Sequence, residues 1–228
     1  MITIKRKRFF KKSLLVNYNA WNELIQEDLL ELFKVLESKW YSEESRMMIG
    51  EFLNTPEESE VFPIKRIKKL FGPDYQLRSM TFGQWAFIER KMFDLSQKNC
   101  EENILSLMAC LFIPKFHKVN RLIVIGKPFN PEMVKQNAAV FKKLPKSYYN
   151  AAIRCWDAQR RWCYSLYPYV FPKSKKQTQA QATAPEYVKI MRNFAGSPAD
   201  EDIEKIFNSN VHSILSALND ELKPKKRK

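Results

Sequence analysis

The chain has 228 residues, 45% of them apolar, and a formal net charge of +14. That is enough for one large domain or a domain with an appendage, and no uninterrupted apolar run approaches the roughly 18 residues that cross a bilayer. The charged N-terminus lacks the apolar stretch of a secretion signal, so the expectation is a soluble protein that stays where it is made and has no membrane partner.

The charge is unevenly placed. Residues 1–12, MITIKRKRFFKK, carry six cations and no acid, KSKK at 173–176 carries three, and the final KPKKRK carries five. The remainder balances, 25 basic residues against 25 acidic ones.

In chain order, residues 1–18 read as a basic extended arm. The alternation of Ile2 and Ile4 with charged residues also permits an edge strand added to a neighbour, with Phe9 and Phe10 as anchors. Asn19 is placed to cap a helix running to about Lys39, because Trp21, Ile25, Leu29, Leu32, Leu36 and Trp40 recur at three- and four-residue steps. Ser42 followed by two glutamates opens a shorter helix through Met48 and Phe52, and Thr55-Pro56-Glu57-Glu58 reads as another helix start. PIKRIKKLFGP, 63–73, is basic and bounded by prolines, and fits two turns of helix or one strand.

Thr81 with Gln84, and Asn99 with Glu102, have capping-box spacing for two further helices. The second is apolar nearly all round, the mark of a central helix. RLIVIGKPF, 121–129, is the convincing strand candidate. Asn130-Pro131-Glu132 starts a helix to about Leu144, and Ser147 a longer one to Tyr167. KSKKQTQAQATAP, 173–185, has no large apolar residue and reads as a linker. After it come a helix from Pro185 to Phe194 and a stretch in which Ile203, Ile206, Phe207, Val211, Ile214, Leu215, Leu218 and Leu222 hold helical spacing for some twenty residues.

The fold class expected is therefore mainly α: a multi-helix domain with one or two short β-strands, basic extended termini and a small C-terminal helical unit. Its parts are a basic arm (1–18), a helical core (19–171), a basic and polar linker (172–185), the helical unit (186–222) and a basic tail (223–228).

No enzyme is indicated. The five glycines are isolated, which weakens any phosphate cradle, and around Lys127 a P-loop would need glycine where Arg121 stands and Ser or Thr where Pro128 stands. Cys100, Cys110, Cys155 and Cys163 lack CxxC spacing and a neighbouring histidine pair, so four buried, reduced thiols are expected rather than a zinc or redox site. His117 and His212 have no carboxylate cluster and read as surface or helix-face residues. No cofactor is called for. RCWDAQRRWCYSLYPY, 154–169, interleaves arginine with aromatics as single-strand binders do. Its helical spacing, however, favours a packed stripe of Trp156, Cys163 and Tyr167, leaving Arg160 and Arg161 as interface candidates.

The basic clusters are the main functional signal. Lys5, Arg6, Lys7, Arg8, Lys11 and Lys12 in the arm, Lys173, Lys175 and Lys176 in the linker, and Lys223, Lys225, Lys226, Arg227 and Lys228 in the tail are candidates to meet double-stranded DNA non-specifically, or a neighbouring subunit. PKKRK also has the composition of a nuclear address.

Three segments carry a resemblance: MTFGQWAFIE at 80–89, NILSLMACLFIPK at 103–115 and FKKLPKSYYNAAIRCWDAQRRW at 141–162. In that order they resemble small helical proteins of tailed bacteriophages, and MRNFAGSPADEDIEKIFNSNVHSILSALNDEL at 191–222 is similar to their closing unit. The lysine-rich, glycine-poor composition looks most like structural or tail-assembly proteins of crAss-like phages that infect Bacteroidetes. The resemblance covers about residues 80–222. It implies a virion part, such as a ring between portal and tail or another tail component, assembled as a homo-oligomer with other phage structural proteins in the host cytoplasm; the alternative it implies is a tail-assembly chaperone. Apart from the resemblance, the charge clusters alone would fit a cytoplasmic or nuclear accessory protein that binds nucleic acid.

Overall fold

The computed structural model describes residues 1–7, 13–114, 129–172, 190, 193 and 200–224. Among them the chain is mainly helical, with two small sheets of two and three strands. It folds as two compact units, one made of Met1–Lys65 with Leu144–Cys163, the other of Arg66–Lys143 with Tyr164–Lys228.

The first unit opens with an antiparallel hairpin, β1 (Ile2–Lys7) and β2 (Ser13–Tyr18), in the register Ile2↔Tyr18 and Ile4↔Val16. The backbone of Lys5, Arg6 and Lys7 is thus paired rather than free. Ile2 and Tyr18 are buried, and the Tyr18 hydroxyl donates to Asp28 Oδ2 at 2.8 Å. The continuous helix expected from Asn19 is broken. Trp21–Glu23 makes one 3₁₀ turn, and α1 spans only Gln26–Glu37, capped by Ile25 without a side-chain bond. The cause lies far along the chain: Trp21 is fully buried, its indole Nε1 donating to Pro56 O at 3.0 Å, and the helical path gives way to that bond. Ile25 consequently leaves the apolar stripe and is exposed, and Trp40, beyond the end of α1 at Glu37, is exposed as well.

Helix α2 (Glu43–Leu53) starts as expected, with Ser42 Oγ accepting from Ser45 N. No helix starts at Thr55. Residues 54–65 run without regular structure against α6 (Lys146–Leu166), where Ser59 N donates to Ala158 O and Gln159 Nε2 to Glu60 O. Ala151, Ala152, Cys155 and Ala158 are small enough to let this segment approach closely, and Phe62, Ile64 and Trp156 fill the core with no exposed surface.

Arg154 holds the unit together. Its guanidinium donates to Leu53 O and Pro56 O and lies 5.6 Å from the Trp21 ring, and burial lowers its pKa below the ordinary arginine value. Removing a charged donor leaves part-buried carbonyls without that partner. Arg154→Ala is therefore expected to cost about 2–3 kcal/mol in urea unfolding, with Arg154→Lys recovering little because lysine lacks the planar fork.

In the second unit the basic segment 63–73 forms a minimal hairpin, β3 (Arg66–Ile67) and β4 (Leu70–Phe71), and β4 pairs on with β5 (Ile113–Pro114). The strand expected at 121–128 lies outside the described residues, as do the helix at 185–194, apart from residues 190 and 193, and His117.

Helix α3 (Phe82–Gln97) has the expected cap, Thr81 Oγ1 accepting from Gln84 N. The reciprocal half of the box is replaced, since the Gln84 amide is buried and donates to Cys110 O on α4 (Glu101–Leu111). The cap of α4 is Cys100, not Asn99. Here Asn103 Nδ2 reaches back to Asp94 O and Lys98 O, tying the end of α3 to the start of α4. Leu105 and the run Leu107–Leu111 are buried, as a central helix requires. Helix α5 (Pro131–Phe141) is capped by Asn130 and packs on α4, with Phe112 and Phe141 rings 6.0 Å apart.

The expected long C-terminal helix is two: α7 (Asp200–Asn208) and α8 (Val211–Leu222). The interruption meets the start of α3. Phe82 N donates to Ser209 O, Val211 N to Met80 O and Asn210 Nδ2 to Arg78 O, so the helix gives up its own ladder to satisfy end groups of another element. His212 is likewise no simple surface residue, because Nε2 donates to Gln76 O at 2.7 Å and Nδ1 accepts from the Tyr167 hydroxyl at 2.6 Å.

Candidate functional site

A group of exposed lysines lies in the second unit. Buried Ile67 and Leu70 fix the β3–β4 hairpin to the core, which pushes the turn residues Lys68 and Lys69 outward. Lys68 has φ 53°, a left-handed conformation more usual for glycine or asparagine. Its Nζ donates to Val140 O at 3.0 Å, across 72 positions of sequence. That bond sets the turn against the C-terminal end of α5, directly beside exposed Lys142 and Lys143.

Arg66 joins the same strand pair, its guanidinium 5.3 Å from the Phe71 ring and its Nε donating to Lys68 O. Cations at a helix C-terminus are stabilised by the helix dipole, which accounts for one or two of these lysines on structural grounds. It does not account for four. Among the described residues Lys68, Lys69, Lys142 and Lys143 form no ion pair with any carboxylate.

This surface was not legible in the sequence as a cluster, because its halves, 68–69 and 142–143, are 74 positions apart. The balanced total outside the basic ends also concealed a division. Residues 19–60 hold eleven acids against three cations, and residues 61–172 hold nineteen cations against seven acids.

Of the residues singled out from sequence, Lys223 is the exposed C-cap of α8, while Arg8, Phe9, Phe10, Lys11, Lys12, Lys173, Lys175, Lys176, Lys225, Lys226, Arg227 and Lys228 lie outside the described residues. Arg160 and Arg161 both pair with Asp157 on their own helix, at 3.0 and 2.9 Å. Trp156 and Cys163 are fully buried, the packed arrangement their spacing favours.

A cavity of about 610 Å³ opens beside α5 and α7, bordered by Phe129, Glu132, Gln136, Glu204, Phe207 and Asn208. Its apolar wall is a cluster in which Phe129 and Phe207 stack at 6.3 Å and both meet Phe87. Among the described residues no group of three or more His, Cys, Asp or Glu is placed to hold a metal, and no helix is long and apolar enough to cross a membrane.

The four cysteines are free thiols. Cys110, Cys155 and Cys163 are buried and Cys100 is partly exposed; burial pushes Cys110 up to about 12 and raises Cys155 as well. Alkylation at neutral pH should therefore modify Cys100 in the native protein and the other three only after unfolding. A folded-state thiol pKa above its ordinary 9.0 means that the unfolded chain loses its proton first. Stability should thus fall as pH rises from about 9 towards 12, by up to about 1.4 kcal/mol per pH unit for each thiol.

Comparison with protein-family models, with curated proteins and with solved structures gives no match to this chain.

Proposed function

We propose that this protein is a structural subunit of a tailed-bacteriophage particle, a ring or connector component of the head-to-tail or tail assembly, whose basic surfaces rest on DNA or on acidic surfaces of neighbouring subunits. The observation that carries the reading is the set of four exposed lysines, Lys68, Lys69, Lys142 and Lys143, of which Lys68 is bonded to the end of α5, with no carboxylate partner among the described residues. Cations held near one another without counter-charge repel, and a polyanion relieves that repulsion while releasing its own counterions. The basic ends add charge of the same sign, and the resemblance over residues 80–222 supplies the particle. In this reading the protein works by assembly and not by catalysis, needs no cofactor, and is built into the virion in the host cytoplasm.

The same lysines favour a second reading, a nucleic-acid-binding accessory protein outside the particle. Mass spectrometry of purified particles, together with duplex-DNA binding by the intact protein at about 50 mM salt, where the counterion effect is strong, separates the readings. Presence in particles with DNA binding is expected. Absence from particles with binding retained would leave the accessory protein; absence from particles, no binding and a strictly monomeric state would leave the assembly chaperone.

A further inference from the structure

The corner between α1 and α2, in the first unit, exposes an unusual amount of apolar surface. Trp40 is 96% exposed and Tyr41 follows it; on α2, Met47 and Met48 are 61% and 55% exposed. Glu44, Met47, Met48 and Glu51 follow one another at the spacing of a single helix face, while Phe52 and Leu53 turn inward. A solvated helix face ordinarily carries polar residues there, and solvated tryptophan forgoes one of the largest gains in apolar burial available to a side chain. Tryptophan, tyrosine and methionine are the residues enriched at protein interfaces. Glu37, Glu43, Glu44 and Glu51 are exposed along the same stretch and outnumber exposed Lys39, so the local charge is negative and suits a partner that brings aromatic or apolar groups among cations.

Such a segment exists in this chain. Strands β1 and β2 are joined by Arg8-Phe9-Phe10-Lys11-Lys12, two aromatics among three cations, and Leu15 beside it is 65% exposed. A two-stranded hairpin is marginal by itself and gains from a surface to lie on. We propose that the Trp40 corner of one copy receives the Arg8–Lys12 segment of a second copy, Phe9 and Phe10 covering Trp40, Met47 and Met48 while the three cations meet Glu37, Glu43 and Glu44. Sulfur–aromatic contact and desolvated ion pairing both favour this match. Because the donating and receiving surfaces differ, copies either exchange the segment reciprocally in a closed dimer or join head-to-tail into a ring or an open chain. The inference rests on the multi-copy subunit reading and adds the surface through which copies join.

Sedimentation velocity of the full chain across a dilution series tests it. The wild type should form concentration-dependent oligomers that dissociate as salt rises, and Trp40→Ser, an exposed position that leaves the core intact, should weaken association at least about tenfold. The double variant Phe9→Ser/Phe10→Ser should do the same. Mixing the two variants should yield one capped dimer and nothing larger, since each keeps the surface the other lacks. A wild type monomeric throughout, unchanged association in Trp40→Ser, or association only when DNA is added would each overturn the proposal. Its failure is separable from that of the phage reading, because a protein recovered from particles whose Trp40→Ser variant still associates refutes this surface alone.

Discussion

Replacing Lys68, Lys69, Lys142 and Lys143 together by glutamine is expected to flatten the salt dependence of DNA binding. If each lysine neutralises about one phosphate, the slope of log affinity against log salt becomes shallower by roughly 3.6. Between 50 and 200 mM salt the wild type should then lose about a hundredfold more affinity than the variant. All four positions are exposed, and only Lys68 makes a described hydrogen bond, to Val140 O, so circular dichroism should find the fold retained. Charge removal at an equal number of ion-paired lysines and arginines, such as Arg90, Lys91, Arg160 and Arg161, serves as the control. Equal slopes in the wild type and the four-lysine variant would remove this surface from phosphate contact and leave binding to the basic ends.

The second large effect concerns Gly83, the glycine of MTFGQW. A Cβ built there would stand 2.5 Å from three ring atoms of Phe207, well inside ordinary contact. The ring has little room to yield, since Phe129 stacks on it and Phe87 meets it edge-on. Gly83→Val should therefore displace α7 and cost about 3 kcal/mol, the upper part of the usual range for overpacking. Gly83→Ala is the sharper test of sign. In an unencumbered helix that change stabilises by about 1 kcal/mol, whereas close packing of α7 on α3 makes it destabilising. Adding Phe207→Ala should abolish the penalty, giving the non-additive coupling energy in a double-mutant cycle that neighbouring side chains show. Additive effects would mean that α7 does not sit on Gly83.

These positions also explain the motif physically. Thr81 caps the helix, Gly83 admits Phe207, Gln84 secures the carbonyl of Cys110, and Trp85 is fully buried. Of these four roles, the cap and, through its helical spacing with Phe82 and Ile88, the inward-facing Trp85 were legible from sequence; the contacts of Gly83 and Gln84 were not. A cap is a bond between residues three apart, and short-range spacing encodes it, as it does for Ser42 at α2 and Asn130 at α5.

Local pattern therefore determined that the chain is mainly helical, where α2, α3, α5 and α6 begin, and that α4 is central. Tertiary structure decided what local pattern could not. Pro56 O draws in Trp21 from 35 positions away and ends a helix that periodicity extends; Met80 and Arg78 claim residues 210–211 and divide another; Val140 O brings Lys68 beside Lys142 and Lys143. In each case a backbone group left unsatisfied by its own element found a partner distant in sequence, and in the first two the bonds it makes outweigh the small preference for continuing a regular turn.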